Sequence, residues 1–265
     1  MKSFDQFYTH PELARAFAAE IVGRWGDDHD VLFVEPAAGA GAFRDPLVGA
    51  GRKVRAIDIA PQAPGILQGD FLGLHDLFAG DHSAVVVIGN PPFGKNASMA
   101  VRFFNRAAIH ADEIAFIVPR TFRKMSVQGR LHRNFHLSWD RDVPGDAFLL
   151  SGNPHDVPCA WQIWTRQPYE RIMPPAPPVD HLIDYTTPGR ASFAMRRVGF
   201  YTGRIVTQNI STLSRTTHYF MREVRYGVID TLRSINWLDV TAQTAGVRSL
   251  SKREIAFRLS EIYNA

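Results

Sequence analysis

Ala84-Val85-Val86-Val87-Ile88-Gly89-Asn90-Pro91-Pro92-Phe93-Gly94 is an apolar, β-branched run that stops on two consecutive prolines. The run reads as a strand buried within a sheet. The prolines lack the N–H donors that would carry it further. Asn90 is thereby fixed at the strand's carboxyl end, the edge at which ligands sit in open α/β sheets. One rigid turn offers an amide, carbonyls not committed to strand pairing, and an aromatic face.

This set suits a planar, conjugated nitrogen. In an exocyclic base amine or a side-chain amide the lone pair is delocalised, so the nitrogen is a poor nucleophile. The Asn90 side-chain oxygen and the Pro91 carbonyl can accept its two N–H groups and favour a more tetrahedral, electron-rich nitrogen. Phe93 can stack on the planar group. This is electrostatic preorganisation rather than strong-base catalysis, and it fits methylation of such a nitrogen. Asn-Pro pairs also mark plain strand-to-helix turns, so the flanking segments must decide.

Upstream, Thr9-His10-Pro11-Glu12 has the Thr-x-x-Glu spacing of a capping box, with Pro11 in the first turn. Leu13, Phe17, Ile21 and Trp25 recur every four residues, the apolar face of a helix. Phe7, Tyr8 and Thr9 either staple that helix or stand against a bound cofactor. The strand Val31-Leu32-Phe33-Val34 leads into Glu35-Pro36-Ala37-Ala38-Gly39-Ala40-Gly41-Ala42-Phe43, where small residues let the backbone approach a ligand. The third glycine of a dinucleotide fingerprint would fall on Arg44, which disfavours pyrophosphate. A helix ending near Gly49-Ala50-Gly51 is followed by the strand Lys53–Ile57 and then Asp58-Ile59. An acid at a second strand end is placed to accept both hydroxyls of a ribose. Ile66 to Leu72 puts Asp70 and Phe71 at the next strand end.

Downstream, Ala97 to Ala111 predicts a helix with Ala100, Phe103, Phe104, Ala107 and Ala108 on one face, and Ile114–Val118 predicts another buried strand. Arg120, Arg123 and Lys124 follow it, in a loop that is either simply exposed and basic or placed to meet phosphates. Ser126 to Asn134 predicts a short helix, Phe148 to Val157 a loop, and Pro158 to Trp164 the last strand. Phe148 reads as a core aromatic before a second ring against a base.

These segments, in this order, resemble a Rossmann-like S-adenosylmethionine-dependent methyltransferase of the amino-methyltransferase branch, which carries Asn-Pro-Pro-Phe/Tyr. The resemblance covers roughly residues 1–168. It implies a class I fold: α/β, a mostly parallel seven-stranded sheet with helices on both faces. It also implies that Asn90, Pro91, Pro92 and Phe93 are catalytic and that S-adenosylmethionine is the cofactor. By the same resemblance Glu35, Pro36, Ala37, Gly39 and Gly41 lie under its methionine part, Asp58 at its ribose, Asp70 with Phe71 at its adenine, and Ile59 among the cofactor contacts. Phe7, Tyr8, Thr9 and Asn90 complete the implied cofactor contacts. The order, with a basic segment last, resembles the adenine-N6 DNA methyltransferases.

Pro174-Pro175-Ala176-Pro177-Pro178 marks a linker, giving a catalytic domain at 1–168 and a small α+β domain at 169–265. From Arg190 onward there are 12 Lys/Arg against 5 Asp/Glu, a local net of +7 against −3 for the remainder. A basic segment on a mildly acidic one is a footprint of nucleic-acid binding, or else a solvated surface. Arg196, Arg197 and Arg215, interleaved with Tyr201, His218 and Tyr219, suit phosphate contact and base stacking.

The expected activity is therefore methylation of the N6 amine of adenine in DNA, on a base taken out of the duplex or in a single strand. An RNA adenine or guanine amine, a protein glutamine, and a non-catalytic nucleic-acid binder with a vestigial cofactor fold are the rivals. The 265 residues, 45% of them apolar, suffice for a full core and a small second domain. Cys159 is the only cysteine, which excludes an internal disulfide and a cysteine-based zinc site, and no metal is expected. No apolar run spans a bilayer, and Met1 to Gln6 lacks a signal peptide's charged region and apolar core. A cytoplasmic location is expected, without membrane partners; the oligomeric state is left open.

Overall fold

A computed structural model describes residues 8–74, 76–145, 147–150, 153–241 and 247–263. The chain divides into two units, Met1–Ile172 and Met173–Ala265. In the first, chain order is β1 (Tyr8–Thr9), α1 (Pro11–Trp25), β2 (Leu32–Pro36), α2 (Arg44–Gly49), β3 (Lys53–Asp58), β4 (Leu67–Gln68), β5 (Val85–Gly89) and α3 (Ser98–Ala107). Then follow β6 (Glu113–Pro119), α4 (Met125–Gln128), β7 (Phe135–Asp142), β8 (Phe148–Leu150), β9 (Asn153–His155) and β10 (Cys159–Arg166).

Seven of these strands form one sheet in the order β4-β3-β2-β5-β6-β10-β7. The pairs from β4 through β6 are parallel, and β10 runs antiparallel to both its neighbours. This is a Rossmann-like sheet, mostly parallel and closed at one edge by the antiparallel strands β10 and β7. Alternation along each strand builds a core on each face. Leu32, Val34, Val87, Ile114, Phe116 and Val118 pack with α3 through Ala100, Phe103, Phe104 and Ala107. Val31, Phe33, Val86, Ile88, Ala115 and Ile117 pack with α1 and α2 through Phe17, Ile21 and Leu47. Trp161, fully buried, stacks on Phe17 with ring centroids 4.2 Å apart.

Several expectations change. Thr9 caps nothing: His10 is the N-cap residue of α1 and makes no side-chain cap bond. Thr9 is instead buried in β1 opposite Phe148 of β8, so strand pairing takes the residue the capping pattern needed. In place of the loop expected over 148–157, the antiparallel strands β8 and β9 pair and with β1 make a three-stranded sheet, and Phe148 lies in the core. The helix expected over 126–134 is only the four-residue α4, and α3 ends at Ala107. The seventh strand of the expected sheet is β7, at residues to which the sequence pattern assigned no strand.

The second unit contains β11 (Ile183–Tyr185), β12 (Phe193–Arg196), β13 (Ile205–Val206), β14 (His218–Glu223), α5 (Val228–Ser234), α6 (Trp237–Thr241) and α7 (Lys252–Tyr263). Its strands pair antiparallel in the order β11-β14-β12-β13. Phe193, Met195, Met221, Leu232, Trp237, Ile255 and Leu259 form its core. Ser251 and Glu254 make the reciprocal capping box of α7: the Glu254 N–H donates to Ser251 Oγ at 3.2 Å, and the Ser251 N–H to Glu254 Oε2 at 2.7 Å. Among the described residues no helix is long and apolar enough to cross a membrane.

Candidate active site

Parallel register brings three loops to one edge of the sheet. β2 and β5 pair with Val34 opposite Val87, and β2 and β3 with Pro36 opposite Ile57. The loop after β2, Asp58 at the end of β3, and the turn after β5 therefore leave the sheet side by side. The approach is close: a Cβ on Gly89 would meet the Pro36 carbonyl at 3.5 Å and Glu35 Cγ at 3.6 Å.

The loop after β2 is held from below by Glu35. Its carboxylate is buried and accepts the backbone N–H groups of Phe43 at 3.2 Å and Arg44 at 2.7 Å, capping the start of α2. Glu35 thus shapes the loop rather than facing a ligand. Burial is the main cause that pushes its carboxyl up to about 8, against the lowering effect of those two N–H donors. A carboxyl whose folded pKa lies above its unfolded one holds its proton better when folded, so stability is fully present below the unfolded pKa and declines toward pH 8. Thermal unfolding across pH 5 to 9 should show the midpoint falling with rising pH, with a shallower fall in Glu35→Gln; equal slopes would contradict this role.

Above Glu35 the loop adopts left-handed conformations at Ala37 (φ 55°), Gly39 (54°) and Gly41 (86°). The Gly39 N–H donates to Asp58 Oδ2 at 2.7 Å, and the Ala60 N–H to Asp58 Oδ1 at 2.8 Å. Asp58 is half-buried, and Ile59 beside it is 48% exposed, an apolar side chain left at the rim of a polar site. Tyr8 covers the loop from the N-terminal side: a Cβ on Gly39 would lie 3.1 Å from its ring. Its hydroxyl is hydrogen-bonded to the Gln62 side chain, and the Gln62 N–H donates to the Gly39 carbonyl at 2.9 Å. Gln62 lies in an irregular stretch and carries no sequence signal. Thr9 is buried next to Tyr8; Phe7 lies outside the described residues.

Asp70 stays exposed, and its carboxylate accepts the Leu72 N–H at 2.9 Å. The resulting Asx-turn tucks Phe71 into the core, 2% exposed, against Phe103 at 5.2 Å and Phe78 at 6.2 Å. The Phe71 ring is therefore core and has no free face for a base.

After β5, Asn90 is half-buried, Pro91 is buried, and Phe93 is half-buried and packs against both cores. The Phe93 carbonyl accepts the N–H groups of Met99 at 3.1 Å and Ala100 at 3.3 Å, tying the turn to α3. The Pro91 carbonyl accepts no hydrogen bond from the described residues. Gly94, at φ 65°, is required: a Cβ there would lie 2.7 Å from Met99 Cγ and 3.1 Å from the Met99 nitrogen. Gly94→Ala is expected to destabilise the fold by about 1–3 kcal/mol through strain alone, measurable by denaturant unfolding; an unchanged midpoint would refute that requirement.

The basic loop after β6 differs from expectation. Arg123 forms a bidentate pair with Asp140 and also reaches Asp142 Oδ1 at 2.6 Å, while Arg120 pairs with Asp142 at 3.1 Å. Both acids belong to β7. Lys124 is buried, 8% exposed. Arg120 and Arg123 are thus already matched to carboxylates, and Lys124 faces inward, so this loop is a poor phosphate surface. In the second unit the Arg196 Nε–H donates to the Val198 carbonyl at 2.8 Å, and the Arg197 guanidinium lies 4.7 Å from the Tyr219 ring. Arg215 lines a cavity of about 190 Å³ with Tyr185, His218, Tyr219 and Lys252. No group of three His, Cys, Asp or Glu side chains gathers as a metal site among the described residues.

No family model matches the chain, and no curated protein matches it. Among solved structures it is similar to a proposed RNA methyltransferase of Pyrococcus horikoshii, at 15% identity over 62% of this chain and 87% of that one, TM-score 0.46. It is also similar to magnesium protoporphyrin IX methyltransferase of Synechocystis PCC 6803 with bound S-adenosylmethionine, at 14% identity over 60% and 80%, TM-score 0.44. A third is a modification subunit of a proposed type I restriction enzyme of Vibrio vulnificus YJ016, at 16% over 61% and 44%, TM-score 0.43. These names describe those proteins; what this chain does has to be read from its own strand edge.

Proposed function

We propose that this chain is an S-adenosylmethionine-dependent methyltransferase acting on the N6 amine of adenine in DNA. The observation that carries the reading is the parallel register that gathers the Gly39 loop, Asp58 and the Asn90–Gly94 turn along one sheet edge. The donor set fits the cofactor. A carboxylate offers about four acceptor positions; two backbone N–H groups engage Asp58, which leaves room for a ribose diol. Exposed Ile59 offers an apolar edge to adenine, and the lack of a side chain on Gly39 lets the Tyr8 ring close over the loop. When bound, S-adenosylmethionine supplies an electrophilic methyl group on a sulfonium.

The remaining work falls to the turn. Asn90 Oδ1 and the Pro91 carbonyl accept the two N–H groups of the target amine and raise electron density on its nitrogen. Phe93 stacks on the base, and its packing against both cores fixes the ring's position. DNA is favoured over RNA by the order of the segments and the basic second unit. Equilibrium dialysis with labelled S-adenosylmethionine should show saturable binding, displaced by S-adenosylhomocysteine; absence of binding would sink the reading.

A further inference from the structure

The connection between β12 and β13 presents Phe200 and Tyr201 at 77% and 61% exposure. Two adjacent aromatic rings left in water are costly unless a partner covers them. The loop beneath them is tied to its surroundings by hydrogen bonds and close packing. The Gly199 N–H donates to the Arg248 carbonyl at 2.9 Å, and the Leu250 N–H to the Arg197 carbonyl at 2.8 Å. Thr202 Oγ1 donates to the Gly199 carbonyl at 2.6 Å, and Gly203, at φ 96°, lies so close to Trp237 that a Cβ would meet its ring at 2.5 Å. Little backbone entropy remains to be lost when the rings are covered.

The surroundings are cationic. The Arg248 guanidinium stands 5.6 Å from the Phe200 ring, and that of Arg204 5.7 Å from the Tyr201 ring. With a guanidinium beside each, the rings still keep most of their surface in water. The two rings meet edge to face at 5.2 Å, the edge of one against the face of the other, and both stay largely exposed. Among the described residues of this unit Asp184, Asp230 and Glu261 are paired with Arg222, Arg233 and Arg258. Arg196, Arg197, Arg204 and Arg248 pair with no described carboxylate. Flat rings flanked by uncompensated arginines match a polyanion that also carries flat rings.

We propose that this hairpin is a base-stacking site for an unpaired stretch of nucleic acid. Phe200 and Tyr201 stack on neighbouring bases, and Arg196, Arg204 and Arg248 neutralise the phosphates beside them. Bases inside a duplex offer no free face, so the site selects single strands, loops or opened segments. The inference rests on the nucleic-acid reading above and adds the strand state and the residues that sense it.

The test uses the full chain and fluorescence anisotropy with a labelled oligodeoxyadenylate, alone and annealed to its complement. Phe200→Ala/Tyr201→Ala should bind the single strand about ten-fold or more weakly, with duplex affinity and melting temperature unchanged. Phe200→Tyr/Tyr201→Phe should restore single-strand affinity, which a merely structural role for the rings would not distinguish. Arg204→Ala/Arg248→Ala should reduce the salt dependence of binding by about one to two phosphate contacts. Wild-type affinity in the double alanine variant, with nucleic-acid binding intact, would overturn the hairpin alone. No nucleic-acid binding by the wild type would overturn the nucleic-acid reading with it. Ring-dependent capture of phosphatidylserine vesicles, with oligonucleotide binding unaffected, would reassign the surface to lipid.

Discussion

Asn90→Ala is expected to lower methyl transfer by about 10²- to 10³-fold, the usual cost of removing one positioned acceptor or donor from a reacting centre. Binding of S-adenosylmethionine should stay within about two-fold of wild type, because the loss is confined to an interaction made as the nitrogen becomes tetrahedral. The prediction follows from the turn. β5 delivers Asn90 to the sheet edge, the two prolines end the strand, and Gly94 with the Phe93 carbonyl anchors the exit to α3. The Pro91 carbonyl stays in place in the variant and holds one of the two N–H groups, so residual transfer is expected. Single-turnover rates measured beside cofactor affinity separate the effects. Unchanged transfer would refute the role of Asn90, and a parallel loss of cofactor affinity would move it into the cofactor site.

Asp58→Ala should produce the opposite pattern. The dissociation constant for S-adenosylmethionine is expected to rise about 10- to 100-fold, equivalent to one strong charge-assisted hydrogen bond. Two effects act together: the acceptor for the ribose is lost, and Gly39 and Ala60 lose the carboxylate that receives their N–H groups. At saturating cofactor the transfer rate should recover most of its wild-type value. A calorimetric dissociation constant equal to wild type would reject the ribose assignment.

The sheet was legible where burial and chain order act locally. Val85–Gly89 and Glu113–Pro119 are β-branched runs buried almost throughout, and such runs have few alternatives to a central strand. β7 was illegible because it lies at the edge of the sheet: all but its first two residues are exposed, Leu137 and Trp139 among them at 37% and 49%. Missing β7 meant missing Asp140 and Asp142, and with them the pairing that removes Arg120 and Arg123 from phosphate duty. Ion pairs formed by a non-local strand leave no trace in local charge counts. Phe71 misled for a related reason: an aromatic at a strand end faces out or in depending on the turn, and the Asp70 Asx-turn sends it in. Thr9 carried a valid capping pattern that long-range pairing with Phe148 overrode. The site residues that chain order alone could align, Gly39, Asp58 and Asn90, are those that leave β2, β3 and β5 at neighbouring positions.

The most direct test of the central claim is transfer of labelled methyl from S-adenosylmethionine into matched pools of duplex DNA, single-stranded DNA and total RNA. The products are then digested to nucleosides. The proposed function predicts N6-methyladenine in DNA, lost in Asn90→Ala. Label in RNA alone would keep the chemistry of the turn and overturn the substrate; no label in any pool, from protein that binds the cofactor, would contradict nucleic-acid methylation.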